Sequence, residues 1–449
     1  MRKSALALGL IVFLAPAAAL PQAKSGNSGV YEQLNLFGEA FERIRHDAVD
    51  PVADKKLIDT AIAGMLAGLD PHSVYLSEAE YKGLQKESAG EGASTGLVVT
   101  LDKGQVKIVA PRDGSPAAEA DIKPGDFIFT IDKEPTYDLT LSEVEQKLNG
   151  PADSEVALVL RRGSGGPIDV KLKRVAGKFP TVDARLEGGD VGYVRLAGFD
   201  DASPAALTAA VKDLRQQAGN KLIGFILDLR NNPGGSFDAA VAAADAFIDK
   251  GDIAIVKSRK PDSAKRIAAT PGDLANGLSI VALVNGGTAR EAELVAGALQ
   301  DSHRAVLLGS KTFGESAIET LIPLAGNGAI RLTTARFETP SGRPIQGKGL
   351  DPDLVVSPLK LEKYAQAEHR HEADLRGALK NPDIAQPVGD AVKGSAAPVK
   401  PPETTAKPPK GDQPTVASGD IGTTSDEQLS EAVDVLRGLA LVNGRTAAR

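Results

Sequence analysis

Apolar residues recur at three-to-four spacing near the start of the chain, where Leu34, Phe37, Phe41 and Ile44 share one helical face. Helical patterning extends from about Tyr31 to Gln85. Within it, a second helix is expected over 54–67, stopping at Gly68. Asp70-Pro71-His72-Ser73 then reads as a turn ahead of a short helix over 78–86. From Ser88 to Gly177 the pattern changes to short β-type runs at 96–99, 106–109, 127–131 and 156–160. Ser115-Pro116-Ala117-Ala118 opens a short helix between them, Lys123-Pro124-Gly125-Asp126 reads as a turn, and Leu141–Leu148 as a longer helix. This order, over roughly 90 residues, is expected to make one compact β-rich module.

From Asp190 to Leu359, strands and helices alternate. Val191–Leu196, Ile223–Leu229 and Ser279–Val284 are near-continuous apolar strands, with a helix near 203–218 and another after Asn231-Asn232-Pro233-Gly234-Gly235. Such strands predict a mainly parallel sheet covered on both faces. Residues 386–425 are rich in Pro, Lys, Gly, Ala, Ser and Thr and are expected to form a disordered linker. Beyond it Leu429, Val433, Val435, Leu436 and Leu439 make a broad apolar stripe that should dock on something. The fold class is therefore α/β, a mixed α+β multidomain chain.

Composition narrows the class. Apolar content of 42% and charged content of 25% over 449 residues suit a soluble chain of several units. The net charge of −7 disfavours a general nucleic-acid role. Absence of cysteine excludes disulfide and thiol chemistry. Arg2 and Lys3 precede an apolar run over 5–19 that ends in Ala17-Ala18-Ala19, the pattern of a secretory signal peptide over 1–23. No other run is long enough to span a bilayer, so the mature chain is expected to be exported.

The chemistry centres on Asn285–Asp301, "NGGTAREAELVAGALQD", a strand end, a Gly-Gly turn and a helix. A turn at the head of a helix suits a nucleophile, yet this one carries Arg290. Taken with "LDPHSVYL" at 69–76, "SPAAEADIKPGDFIFTIDKEP" at 115–135, "LDLRNNPGG" at 227–235, "VAGALQDSHRAVLLGSKTFG" at 295–314 and "TPSGRPIQGKGLDPDLVV" at 339–356, the chain resembles the carboxyl-terminal processing, or tail-specific, serine proteases. The resemblance implies N-terminal helices over 28–87, an inserted PDZ domain over 88–177 and an α/β tail-specific protease core over 178–360. A helical extension over 361–385, the disordered linker over 386–425 and a C-terminal amphipathic helix over 426–449 complete the order.

It also implies a serine nucleophile with a lysine base. The family's "GTASASE" segment is here Gly287-Thr288-Ala289-Arg290-Glu291-Ala292-Glu293, so the nucleophile position holds Arg290. The family's "TFGKGSVQT" is here Thr312–Thr320, which puts Glu315 at the base position and Glu319 at the glutamine position. An arginine stays protonated and does not attack a carbonyl. The two replacements have opposite charge, and a hydrogen-bonded Arg290–Glu315 salt bridge filling the old site is expected. Gly234 and Gly235 fall in the family's oxyanion-loop region, although a tight turn alone accounts for them. In the PDZ loop, the backbone of Thr95, Gly96 and Leu97 is expected to face a peptide carboxylate, so polypeptide C-termini are the implied partners.

Thr288 reads more readily as a helix N-cap than as a nucleophile. A displaced Ser316–Lys311 pair is the alternative that would preserve activity. His46, His72, His303, His369 and His371 lack a metal-ligand spacing, His72 reads as a turn residue, and no cofactor or metal is expected. Three functions follow: an exported, catalytically inactive binding or regulatory protein; an active endopeptidase with a displaced dyad; or a structural subunit in an oligomer with active relatives, joined through the helices at 31–49 and 426–441.

Overall fold

The apolar face foreseen at the start of the chain is helical. Helices α1 (Ser28–Asp47) and α2 (Asp54–Ala67) open the chain, and Val30, Leu34, Phe37 and Ile44 of α1 are exposed. The structure is a computed structural model that describes residues 28–88, 92–137, 139–260, 264–325, 328–357, 421–423 and 426–447. The expected signal peptide, the helical extension over 361–385 and nearly all of the linker lie outside the described residues. The chain divides into Met1–Gly64 and Met65–Arg449, and everything below concerns the second unit.

That unit begins with β1 (Val74–Leu76) and α3 (Glu78–Ser88). The β-rich module follows: β2 (Ala93–Ser94), β3 (Leu97–Asp102), β4 (Gln105–Pro111), α4 (Pro116–Glu119), β5 (Phe127–Ile131), β6 (Glu134–Pro135), α5 (Leu141–Leu148), β7 (Asn149–Gly150), β8 (Glu155–Arg161), β9 (Pro167–Lys173) and β10 (Val175–Ala176). Its main sheet runs β3-β4-β5-β8-β9, with all neighbours antiparallel. Val106, Ile108, Ile128, Ile131 and Leu158 fill the interior with Leu141, Val144 and Leu148 from α5. Helix α5 starts where it does because Thr140 and Glu143 cap each other's backbone N–H groups.

The remaining elements are β11 (Val182–Glu187), β12 (Val191–Leu196), α6 (Ser203–Ala218), β13 (Gly224–Asp228), α7 (Phe237–Asp245), β14 (Asp252–Ser258), β15 (Lys265–Ala268), β16 (Ser279–Val284), α8 (Glu291–Asp301), β17 (Ala305–Gly309), β18 (Ala317–Pro323), β19 (Ala329–Glu338), β20 (Leu354–Val355) and α9 (Glu427–Ala447). The central sheet runs β11-β12-β13-β16-β17-β20, parallel from β12 onward, with β11 as an antiparallel edge. Alternate strand residues take opposite faces. Phe225, Leu227, Ile280 and Ala282 pack under α6, α7 and α8, whereas Ile226, Val281 and Leu283 pack under α9. The parallel sheet covered on both faces is therefore present.

Two features differ from expectation. A second, antiparallel sheet, β1-β19-β14-β15 with β18 beside β19, carries the other wall of the candidate site. Its β1 has only three residues, too few to show a period. The apolar stripe of α9 also docks within its own chain, where Leu429, Ala432, Val433 and Leu436 are buried. That stripe is thus not a free surface for a mixed oligomer. The buried Arg230 holds the start of α9 by donating to Asp426 Oδ1 at 2.8 Å and Oδ2 at 2.6 Å, and to Gln428 Oε1 at 3.0 Å. Asp228, which accepts from Arg230 and from Tyr193 Oη at 2.9 Å, completes the buried network.

Candidate functional site

Strand β16 ends at Val284, and six residues, 285–290, turn the chain into α8. Asn285 Oδ1 accepts the N–H groups of Gly287 at 3.0 Å and Asn231 at 2.9 Å. Thr288 is buried; its hydroxyl donates to the Leu229 carbonyl at 2.8 Å and accepts from Asn285 N at 3.0 Å. Thr288 is thus a turn staple rather than the expected N-cap, which is Arg290. Arg290 has φ 53° and ψ −123°, a strained backbone for a residue with a side chain. The N–H of Arg290 donates to Glu293 Oε2 at 3.2 Å.

Glu293 joins this turn to the next. It accepts from the Thr312 hydroxyl, from Gly314 N at 2.8 Å and from Glu315 N at 2.8 Å. Burial pushes its carboxyl up to about 8 against the pull of these donors. This brings Glu315 opposite Arg290, with Arg290 Nε 3.5 Å from Glu315 Oε1 and Nη2 3.6 Å from Glu319 Oε1. Arg331 on β19 faces Glu319 at 3.5 Å, and His72 Nδ1 lies 3.5 Å from Glu315 Oε1.

The three replaced positions are therefore adjacent, but the expected hydrogen-bonded Arg290–Glu315 pair is instead a shared cluster of charges. Arg290 Nε and Glu315 Oε1 are both buried and neither makes a hydrogen bond. At 3.5 Å the attraction is Coulombic and lacks the short, directed contact of a bidentate pair. Burial alone would lower the Arg290 pKa; Glu291, Glu319 and Glu315 outweigh it and raise it, so the guanidinium stays charged. Burial raises the Glu315 carboxyl, with Arg290 and His72 opposing.

His72 is a turn residue, as read from the sequence, but it is also part of this cluster. Asp70 accepts from His72 N, Ser73 N and the Ser73 hydroxyl, while Thr333 on β19 donates to both Ser73 Oγ and Asp70 Oδ1. The ligand atoms of His72, Glu315 and Glu319 lie within 4.8 Å of one another. The guanidinium groups of Arg290 and Arg331 already face these glutamates, so a divalent cation would have to displace them.

Gly234 and Gly235 form the facing turn, with φ of 94° and 146°. Gly234 N donates to Asn232 Oδ1 at 2.9 Å, and Gly235 N donates to Glu291 Oε2 at 2.9 Å. A Cβ on Gly235 would lie 2.0 Å from the Phe199 carbonyl oxygen, and one on Gly234 2.3 Å from Glu291 Oε2. The engagement of Glu291 was not foreseen. The alternative pair is not assembled: Ser316 is buried, its N–H bonded to Gln346 Oε1, and Lys311 Nζ pairs with Asp351 at 3.0 Å.

In the β-rich module, the expected carboxylate donors are engaged locally. Gly96 N donates to Ser94 Oγ at 3.0 Å and Leu97 N faces Thr95 Oγ1 at 3.5 Å. Thr95 itself is buried. Short polar side chains, standing where the family loop has glycines, supply these acceptors. Strand β3 pairs only with β4 among the described residues, so its outer edge is left for strand addition. The module abuts the core at this site: Arg195 grips Asp113 at 2.7 and 3.0 Å, Arg331 reaches Glu145 at 3.2 Å, and Lys107 Nζ lies 5.4 Å from the Phe313 ring centroid.

Comparison with known proteins agrees with this architecture. Residues 190–356 match Peptidase family S41, residues 107–162 match a PDZ domain, and residues 14–80 match the activating protease CtpB N-terminal domain. The chain is 40% identical over 417 residues to a carboxy-terminal-processing protease of Bartonella bacilliformis, covering 92% of this chain and 90% of that one. It is 30% identical to the carboxy-terminal processing protease CtpA of Bacillus subtilis, over 80% of this chain and 76% of that one. Among solved structures, a photosystem II D1 C-terminal processing protease aligns with a TM-score of 0.62 at 30% identity, covering 72% of this chain and 93% of that chain. Among the described residues no helix is long and apolar enough to cross a membrane.

Proposed function

The chain belongs to the carboxyl-terminal processing proteases of Peptidase family S41, and we propose that it is a catalytically inactive member that binds polypeptide C-termini or regulates a partner. One observation carries the reading. At the strained N-cap of α8, where the family resemblance expects a serine facing a lysine, Arg290 faces Glu315 at 3.5 Å. A guanidinium held charged by three carboxylates has no lone pair for attack, and a carboxylate does not replace an amine base without a nucleophile beside it. The retired position therefore serves packing and charge balance rather than turnover.

What remains is recognition. The free edge of β3 suits an added peptide strand, and a PDZ module takes peptides in this way. With the Gly96 and Leu97 N–H groups engaged, carboxylate capture requires the Ser94 and Thr95 hydroxyls to turn aside. Export, to the periplasm of a Gram-negative cell, is part of the proposal and rests on the Arg2-Lys3 start, the apolar run and Ala17-Ala18-Ala19. The test is incubation of pure protein, made in a protease-deficient host, with an unfolded substrate bearing an apolar tail. The substrate is expected to survive while a peptide of its last residues binds. Cleavage that tracks with the protein through purification would sink the proposal.

A further inference from the structure

We infer that Glu291 is a built-in occupant of the anion-binding turn at the head of α8, closing with the chain's own carboxylate the place where a substrate's carbonyl oxygen would be held. This deepens the inactive reading above and rests on it. The turn has the parts such a site needs. Gly235 presents its N–H toward the first turn of α8, an eleven-residue helix whose N-terminus favours negative charge. The Glu291 carboxylate fills that place, with Oε2 2.9 Å from Gly235 N and 3.8 Å from Arg290 Nε.

The fit is close. Oε2 lies only 2.3 Å from where a Cβ of residue 234 would be, so Gly234 is required both for its φ of 94° and for the room it leaves. Glu291 is nearly inaccessible. Burial raises its carboxyl, and Arg290 and the Gly235 N–H oppose that rise. A carboxylate buried this deeply is retained because its partners are within reach. The consequence is a third barrier to turnover, separate from the lost nucleophile and base. Restoring serine and lysine would still leave an occupied oxyanion turn.

The experiment follows the Gly235 amide in the full chain by hydrogen exchange, in wild type, Glu291→Ala and Glu291→Gln. In Glu291→Ala, Gly235 should exchange at least about tenfold faster, while Ser236 N, bonded to the Phe199 carbonyl, stays within about twofold. In Glu291→Gln, protection should persist, because the amide oxygen accepts the same bond. If the Ala variant does not fold, Glu291→Asp, one methylene short of Gly235, carries the same expectation. Wild-type exchange at Gly235 in the truncated variant would overturn the assignment. Cleavage by wild-type protein, in contrast, would overturn the inactive reading whatever Gly235 does, so the two failures are distinguishable.

Discussion

Arg290 combines a permanent charge with a backbone conformation that costs energy, and both are held by neighbours. Removing the guanidinium leaves Glu315 and Glu319 facing each other with less compensation. Breaking a buried pair typically costs about 3–5 kcal/mol. Because the Arg290 side chain is 27% exposed and its contacts exceed hydrogen-bond length, Arg290→Ala should cost less, about 1–3 kcal/mol. Arg290→Ala combined with Glu315→Ala should cost less than the sum, since the second change removes the charge stranded by the first. Strict additivity in urea unfolding would contradict the coupling. Glu293 provides a pH test. Its folded value is about 8 against an ordinary 4.5, so the native state binds an extra proton between those values. Its contribution to stability therefore falls as pH rises from about 4.5 to about 8, and Glu291 and Glu315, whose carboxyls burial also raises, act in the same direction. Glu293→Gln should flatten that fall; an unchanged slope between pH 5 and 8 would refute it. Arg290, Glu315 and Glu319 were legible in the sequence because each interrupts a long motif. Glu291 and Glu293 were not, because their partners Gly235 and Gly314 lie 56 and 21 residues away and the pairing arises only on folding.

At the scale of elements, α9 and the β3 edge are the pieces whose behaviour follows most directly from their contacts. Asp426 anchors α9 by pairing with Arg230, which is wholly buried. Asp426→Ala should cost about 3–5 kcal/mol and free the helix first, because Arg230 keeps only Asp228 and Gln428. Proteolysis or hydrogen exchange across 427–442 reports this; protection equal to wild type would show that the apolar stripe alone holds the helix. For β3, a peptide with a free C-terminal carboxylate should bind more tightly than its amidated twin, measured by calorimetry. Equal affinities would exclude terminal capture and leave only strand addition. The parallel strands and the helices near 141–148 and 203–218 were legible because their apolar pattern is unbroken and their starts are marked locally, by the Thr140–Glu143 capping box and by Pro204 in the first turn. The antiparallel sheet was not. Strand β1 has three residues, and its register with β19 is set by pairing across the chain.

At the scale of the whole molecule, the β-rich module and the core meet through Arg195–Asp113 and Arg331–Glu145, and Arg331 also faces Glu319 inside the site. Motif order was enough to expect a PDZ domain followed by a protease core, which match residues 107–162 and 190–356. Which surfaces meet was not legible, since single charged residues far apart in sequence decide it. Through Arg331, whose guanidinium faces both Glu145 on the module and Glu319 in the cluster, the two parts share a residue. The most direct measurement compares cleavage of one unfolded, apolar-tailed substrate by wild type, by Arg290→Ser/Glu315→Lys/Glu319→Gln, and by that variant with Glu291→Ala added. Wild type should give no cleavage above a blank preparation. Freeing the oxyanion turn is worth about 10²–10³ in rate, so the fourfold variant should exceed the threefold one by that factor. Robust cleavage by wild type, abolished by Ser316→Ala or Thr288→Ala, would contradict the account.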